Sequence, residues 1–440
     1  MRLQVTILTV IMGFSACRCA QTEDPRTAWL ENTIYEDHRD ILLREPVLTE
    51  LKFEKMASSP FNYFRGTAGQ YLRDVSRPLK TRAAGFSGQT TLLVGDPHPE
   101  NLGVFRDLEG EQHFEFNDFD AATFGPPEYD VWRLAAGFAV MEAQANTSCE
   151  MAASVVDGYA SHWRSESVPL DGAIVDDLKR RGLRDGAARE ELDDYTTVEN
   201  GVRTLKVGDL EARDGGLWVD TTLEPTPEHA QLVRAAFAAY EPTVATRARP
   251  GALKGIVRRL GAGVASYPFL RFYVLTEGPT ESLDDDVLLE VKETLAAPRG
   301  ASLPLAPDKL WASNGERVVD AQRRLQSSPD VDPLLGWGDA GGMTFRVHER
   351  TKYQKGFDVA RYAQNMSDGE WTCDDAQLFG RQAGAILAQA HRRGGLDVNL
   401  SAAQQDETTT FATSYAARVL EDYQRFRQLV ERRAWAPRVE

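Results

Sequence analysis

The run from Leu92 to Leu134 (LLVGDPHPENLGVFRDLEGEQHFEFNDFDAATFGPPEYDVWRL) constrains this chain more than any other stretch. An apolar, strand-like segment, Thr91 to Val94, ends in a turn carrying Asp96, His98 and Asn101. A hairpin-like segment follows, closing on Asn117-Asp118-Phe119-Asp120. Then come a Gly-Pro-Pro break and Asp130 in the first turn of a helix. Carboxylates, an imidazole and a carboxamide on turns at strand ends can converge on one ligand. Hard oxygen donors of this kind suit Mg2+ or Mn2+, and a lone histidine among them does not argue for zinc. Asn101 and Asp118 are therefore metal candidates. Asp120 is either a second metal ligand or a solvated neighbour. Asp96 is placed to orient or deprotonate a hydroxyl, and His98 to touch substrate or brace its own loop. For Asp130 the simplest reading is a favourable negative charge at a helix start.

Composition narrows the class of partner. The chain has 440 residues, 42% of them apolar and 9% aromatic, enough to bury a substantial core. A formal charge of −16 argues against a nucleic-acid backbone as the main partner. Downstream of the N-terminus no apolar run approaches a membrane span. Arg2, the apolar run Leu3–Phe14 and Ser15-Ala16-Cys17 have the form of an export signal. Ser-Ala-Cys resembles a bacterial lipobox, which would make Cys17 a lipidated first residue and the protein a membrane-anchored or periplasmic one. Ordinary signal cleavage, or a start codon placed too early and a cytoplasmic protein, are the other readings. Of four cysteines, two lie in this segment and leave Cys149 and Cys373, read as free buried thiols unless they fold close enough to pair.

Beyond the opening stretch, patterning predicts helices at 148–165, 226–239, 314–327 and 374–391, and a long C-terminal helix with a seam at Phe411, Tyr415, Val419, Tyr423 and Phe426. Between them lies a sheet-like block. Ile256–Leu260 leads through Gly261-Ala262-Gly263-Val264-Ala265-Ser266 to Leu270–Leu275, and after a further turn comes Val287–Glu293. Gly261, Gly263 and Ser266 would let backbone N–H groups approach phosphates. Lys292 stands in a Val/Leu-rich strand, where an unpaired ammonium is costly, so it calls for an anionic partner. Arg65 could pair with a phosphate or carboxylate, although a structural ion pair is the commoner use of such a residue.

Gly95-Asp96-Pro97-His98-Pro99-Glu100-Asn101 resembles the GDxHxxN catalytic loop of aminoglycoside phosphotransferases and related small-molecule kinases. Asn117–Asp120 is similar to their metal-binding segment, and Asp130-Val131-Trp132-Arg133-Leu134-Ala135 to a stretch whose Asp braces the catalytic loop. Across most of residues 60–430 the chain also resembles an uncharacterised bacterial family, domain of unknown function 2252. That similarity is carried at Phe64-Arg65-Gly66, Gly95–Gly103, Asn117–Asp120, Leu289–Glu293, Arg317–Gln322 and Leu387–His391.

The kinase resemblance implies a bilobal, protein kinase-like α+β fold, circularly permuted because the catalytic loop precedes the Gly-rich turn and Lys292. Nearby termini make such permutation tolerable. The implied division is 1–20 signal peptide, 21–58 lead-in, 59–245 catalytic-loop helical lobe with an insertion, 246–352 nucleotide-binding sheet lobe, and 353–440 C-terminal helices completing the helical lobe. ATP or another nucleotide with Mg2+ or Mn2+ is the implied cofactor. Asp96 and His98 would be catalytic, Lys292, Gly261, Gly263, Ser266 and Arg65 would hold nucleotide, and Glu316 or Asp320 would hold Lys292. Arg346 to Arg350 would lie near the adenine edge. The implied activity is phosphoryl or AMP transfer to a small-molecule or protein hydroxyl. Two alternatives stay open: a catalytically inactive nucleotide-binding or scaffold lipoprotein, and a glycosyltransferase reading of Asp118-Phe119-Asp120.

Overall fold

A computed structural model describes residues 24–76, 89–107, 110–165, 167–183, 187–208, 211–213, 216–218, 221–244, 249–298, 310–328, 332–350 and 355–435. The proposed signal segment and lipobox lie outside them. Four helices come first: α1 (Pro25–Arg44), α2 (Pro46–Ala57), α3 (Pro60–Gly66) and α4 (Ala68–Val75). Then β1 (Thr91–Leu93), β2 (Leu102–Arg106), β3 (Gln112–Phe116) and β4 (Thr123–Gly125) frame the acidic stretch. Next are α5 (Glu128–Ala145), α6 (Met151–Ser161), α7 (Ala173–Gly182) and α8 (Ala187–Tyr195). β5 (Thr196–Glu199), β6 (Val202–Leu205), β7 (Glu211–Arg213), β8 (Gly216–Trp218) and β9 (Thr221–Leu223) lead to α9 (Pro227–Tyr240). β10 (Leu253–Leu260), β11 (Arg271–Thr276), β12 (Val287–Glu293), α10 (Asn314–Leu325), β13 (Gly336–Ala340) and β14 (Met343–Glu349) follow. The chain ends with β15 (Lys355–Gly356), α11 (Val359–Ser367), α12 (Cys373–Arg393) and α13 (Ala402–Glu431).

Many helix starts are written locally. Ser59, Thr226 and Ser313 cap α3, α9 and α10 through their hydroxyls, and proline occupies the first position of α1, α2, α3 and α9. Thr372 with Asp375, and Ser401 with Gln404, form reciprocal capping boxes on α12 and α13.

The fold is α+β, and its apolar residues bury in two main bodies. The larger gathers α1–α6, α12 and α13 around Phe64, Leu134, Phe138, Tyr159, Phe379, Leu387 and Phe426. The smaller lies on an antiparallel six-stranded sheet of order β13-β14-β12-β11-β10-β9. Strands β10 to β12 therefore form a meander, with α10 crossing between β12 and the β13–β14 hairpin. The sheet body begins earlier than the expected boundary at 246. Helix α9 buries Val233, Ala236, Phe237 and Tyr240 against it, and α8 and β6 add Leu192 and Leu205. Each large apolar side chain so buried favours docking by about 1.5–3 kcal/mol, so α9 belongs with the strands it covers.

Two further expectations change. Residues 24–58 are structural: Leu30, Ile34, Phe53 and Met56 sit in the helical core. Arg26 binds both Asp74 (2.7 Å) and Asp422 (2.6 Å), tying α1 to α4 and α13. Cys149 and Cys373 are joined in a disulfide, with Cα atoms 5.0 Å apart across 224 residues of sequence, not left as free thiols. Among the described residues, no helix is long and apolar enough to cross a membrane.

Candidate active site

The acidic turn is built by backbone constraint. Gly95 has φ +93°, and a Cβ there would collide with the Ala121 carbonyl, so glycine lets the β1 turn lie against the residues after Asp120. Asp130, 1% exposed, accepts from Val94 N–H (2.7 Å) and Gly95 N–H (3.1 Å). Its Oδ2 also meets His391 Nε2 at 3.2 Å. A carboxylate only accepts, so His391 donates through Nε2, and its Nδ1 accepts from Tyr159 OH at 2.9 Å. Burial pushes the Tyr159 phenol well up, which keeps it a donor. Asp130 thus braces the turn.

Asp96 projects from that turn beside Arg133, whose Nε donates to Oδ1 at 2.8 Å. Arg133 is 1% exposed, donates to Phe64 O (2.6 Å) and lies 3.5 Å over the Phe64 ring. Burial lifts the Asp96 carboxyl to about 6; nearby Asp118 adds to this, while Arg133 and Arg65 oppose it. Asn101 is buried and donates from Nδ2 to Asp96 O (2.9 Å). Asn117 N–H donates to Asn101 O (2.9 Å), so the two segments are stitched together.

Asp118 Oδ1 accepts from Asp120 N–H at 3.1 Å. Asp120 Oδ2 forms an ion pair with Lys292 Nζ, 172 residues away in sequence, while its Oδ1 is buried without a hydrogen-bond partner. Arg317 on α10 clamps the segment from behind. It donates to the carbonyls of Ala122 (2.6 Å), Asp120 (2.9 Å) and Leu295 (2.8 Å). Burial lowers Arg317 to about 10, which leaves it charged at neutral pH.

Lys292 is itself buried, with Arg271 opposite it on β11 and Arg346 opposite it on β14. Burial works to raise the Asp120 carboxyl, but Lys292, Arg346 and Arg271 together hold it below its usual value. The partner of Lys292 is thus Asp120 and neither helix acid: Glu316 accepts from Ala312 N–H (2.6 Å) and Asp320 from Trp311 Nε1 (2.8 Å). Arg346 lies beside Lys292 in the strand register, because β14 is the direct neighbour of β12.

The Gly-rich turn joins β10 to β11 above this row. Gly261 and Gly263 have φ of +88° and +80°. Ser266 Oγ accepts from Arg271 at 3.1 Å. Lys52 of α2 donates to Ala265 O (2.8 Å) and His38 Nε2 (2.6 Å), which fastens the turn to the N-terminal helices. Burial lowers the Lys52 ammonium to about 7.

Two further candidates, His98 and Arg65, have surroundings set by α3. The His98 ring is 3% exposed and packs edge-on against Phe61 (5.9 Å), and its Nδ1 has no hydrogen-bond partner. Burial, then Arg65 and Arg133, keep it neutral. Arg65 is ion-paired with Glu100, whose other oxygen accepts from Val359 N–H at 3.1 Å.

Sequence reasoning gave no site role to Arg133, Arg271, Arg317 or Lys52, and singled out Arg346 for a different one. A charge inside an apolar helical run, as in Val131-Trp132-Arg133-Leu134-Ala135, was a readable signal for Arg133. Among the described residues, no three His, Cys, Asp or Glu side chains could hold a metal by themselves. What the site offers is two carboxylates and the Asn101 carboxamide. Mg2+ suits such a set, since it keeps several waters and shares substrate phosphates.

Residues 44–429 match the family described as "Uncharacterized protein conserved in bacteria (DUF2252)", and the chain belongs to that family. No curated protein and no solved structure matches it.

Proposed function

We propose that this protein is a kinase-like, nucleotide- and Mg2+-dependent transferase that moves a phosphoryl or nucleotidyl group to a hydroxyl. The observation that carries the reading is the Lys292–Asp120 ion pair, which brings a buried strand lysine from the sheet onto the acidic turn. Supporting it is the succession of Gly-rich turn, lysine strand, helix and two further strands, followed later by α12, whose His391 reaches the catalytic-type turn through Asp130. Read as a circle, this is the kinase-like order, cut between the catalytic segment and the sheet.

Asp118, Asp120 and Asn101 would hold the metal, and the unpartnered Asp120 Oδ1 fits that use. Bound there, Mg2+ would neutralise charge on the transferring phosphates. Asp96 would accept the hydroxyl proton, since a carboxyl lifted to about 6 is ionised at neutral pH yet basic enough to be useful. Arg133 would hold that carboxylate in one orientation. Lys292 would neutralise phosphate oxygens, with the Gly-rich turn supplying N–H groups.

A second reading, a catalytically inactive nucleotide-binding or scaffold protein, has one observation in its favour. One Asp96 oxygen is already engaged by Arg133, so the base is partly committed. The disulfide supports export to an oxidising compartment, where ATP is scarce.

A thermal-shift series with ATP, GTP and UDP-sugars, each with Mg2+ or Mn2+, tests the reading on wild type and Asp118→Ala. Stabilisation by a purine triphosphate and metal, lost in the variant, is the expected result. Equal stabilisation of both proteins would remove the metal assignment. A response to UDP-sugars alone would favour glycosyl transfer.

A further inference from the structure

Antiparallel register puts Arg271, Lys292 and Arg346 side by side on three adjacent strands, and directly opposed residues share one face of a sheet. Like charges so placed repel, so the row needs anions to hold it. Arg271 has Glu290, Nη1 to Oε2 at 2.8 Å, and Lys292 has Asp120. Among the described residues, no carboxylate lies within ion-pair distance of Arg346. The hydrogen bond it makes among them goes to a neutral group, Gln322 Oε1 at 2.8 Å, and its Nε is buried without a partner there. The residue is only 7% exposed. A guanidinium buried in this way is a poor structural element and a ready anion binder.

The surroundings point the same way. Asp120 is the carboxylate that closes on the row, through its ion pair with Lys292 at the middle position. Asp332, a buried acid near Arg346, faces His348 Nδ1 at 3.7 Å instead of pairing with the guanidinium. At one end Arg271 is fastened to the Gly-rich turn through Ser266. The other end, Arg346, is where charge stays uncompensated.

We propose that Arg271, Lys292 and Arg346 form a cradle for a polyphosphate chain laid across the sheet, with Arg346 binding the phosphoryl group farthest from the Gly-rich turn. Adjacent strands lie about 4.8 Å apart, so the row spans roughly 10 Å, more than a single phosphate can bridge. The cradle deepens the transferase reading and rests on it only for what is attached to the polyphosphate.

Isothermal titration of the full chain with inorganic triphosphate, pyrophosphate, orthophosphate and ATP, at constant ionic strength, tests this. Triphosphate should bind at least about tenfold more tightly than orthophosphate, and Arg346→Gln should weaken triphosphate by about tenfold. Arg427→Gln, on the exposed face of α13, should change nothing. Unchanged triphosphate affinity in Arg346→Gln overturns the cradle, as does wild-type affinity no better for triphosphate than for orthophosphate. Arg346→Lys keeps charge and bulk if the glutamine variant does not fold; it should still lose about threefold through loss of the planar fork, and equal affinity again overturns the proposal. Triphosphate binding without ATP binding leaves the cradle standing and removes the nucleotide reading. ATP binding indifferent to Arg346 does the reverse.

Discussion

The acidic turn and the cationic row face each other through one ion pair, yet they are held in different ways. Around the turn most charges are engaged: Asp130 satisfies two backbone N–H groups and His391, Arg133 holds Asp96, and Arg317 collects three carbonyls, with Asp120 Oδ1 the open position. The row is held mainly by strand register, and at Arg346 its charge is left uncompensated. An over-determined network fixes geometry and loses stability when cut. An under-compensated one is tolerated by the fold and is spent on ligands. Substitutions in the turn should therefore damage stability or chemistry, and those in the row should damage binding.

The largest effect expected is on chemistry. Asp96→Asn should keep nucleotide-induced stabilisation and lower transfer by about 100-fold or more, measured as product formed per enzyme. In wild type the rate should fall as pH drops through about 6, where Asp96 takes up a proton. The sign for stability follows from the same shift. The folded carboxyl titrates near 6 and the unfolded one near 3.8, so between those values the folded state binds more protons, and this group's contribution falls as pH rises. A transfer rate unaffected by Asp96→Asn would leave the turn as a binding element only.

Asp130→Ala should cost about 3–5 kcal/mol, because Val94 N–H, Gly95 N–H and His391 lose one shared acceptor in a dry site. Urea denaturation checks it. Arg346→Gln is its counterpart in the row, and a loss approaching that of Asp130→Ala would erase the contrast between the two regions.

The disulfide tests the helical body alone. Reducing Cys149–Cys373, or replacing Cys149 by Ser, should cost about 2–4 kcal/mol, read as a lower melting temperature that reductant reproduces in wild type. Cys149 lies in the helical core and Cys373 opens α12, both outside the sheet body, so triphosphate affinity should stay within error.

The contrast also explains what the sequence made legible. The turn is contiguous from Gly95 to Asp130, so residue types at short spacing revealed Asp96, Asn101, Asp118 and Asp120. The row is assembled by pairing strands whose members are scattered between Arg271 and Arg346, and register is invisible until the strands pair. Lys292 stood out through its apolar neighbours, and Arg346 only through the kinase resemblance. Arg346 in Thr344-Phe345-Arg346-Val347 alternates like any half-exposed strand charge. Strands and helices themselves were readable from periodicity, as 287–293 and 314–325 illustrate. The place of α9 was not, because an apolar stripe says that a helix packs and not on what. The Cys149–Cys373 pairing depends on a tertiary approach that spacing does not encode.

Lys52 joins the two regions and gives the smallest effect within any one pH unit. It lies in α2, on the helical body, and fixes Ala265 in the turn above the row. Burial places its folded ammonium near 7 against 10.5 unfolded, so between those values the unfolded state binds more protons and stability should rise with pH, by at most about 1.4 kcal/mol per pH unit. The facing groups that could mask this are His38, held neutral by burial and by Lys52 itself, and Asp37. Lys52→Met should remove that rise and speed amide exchange across 261–266, while exchange across 94–101 stays unchanged. Faster exchange in both segments would mean that the turn and the row are one cooperative unit.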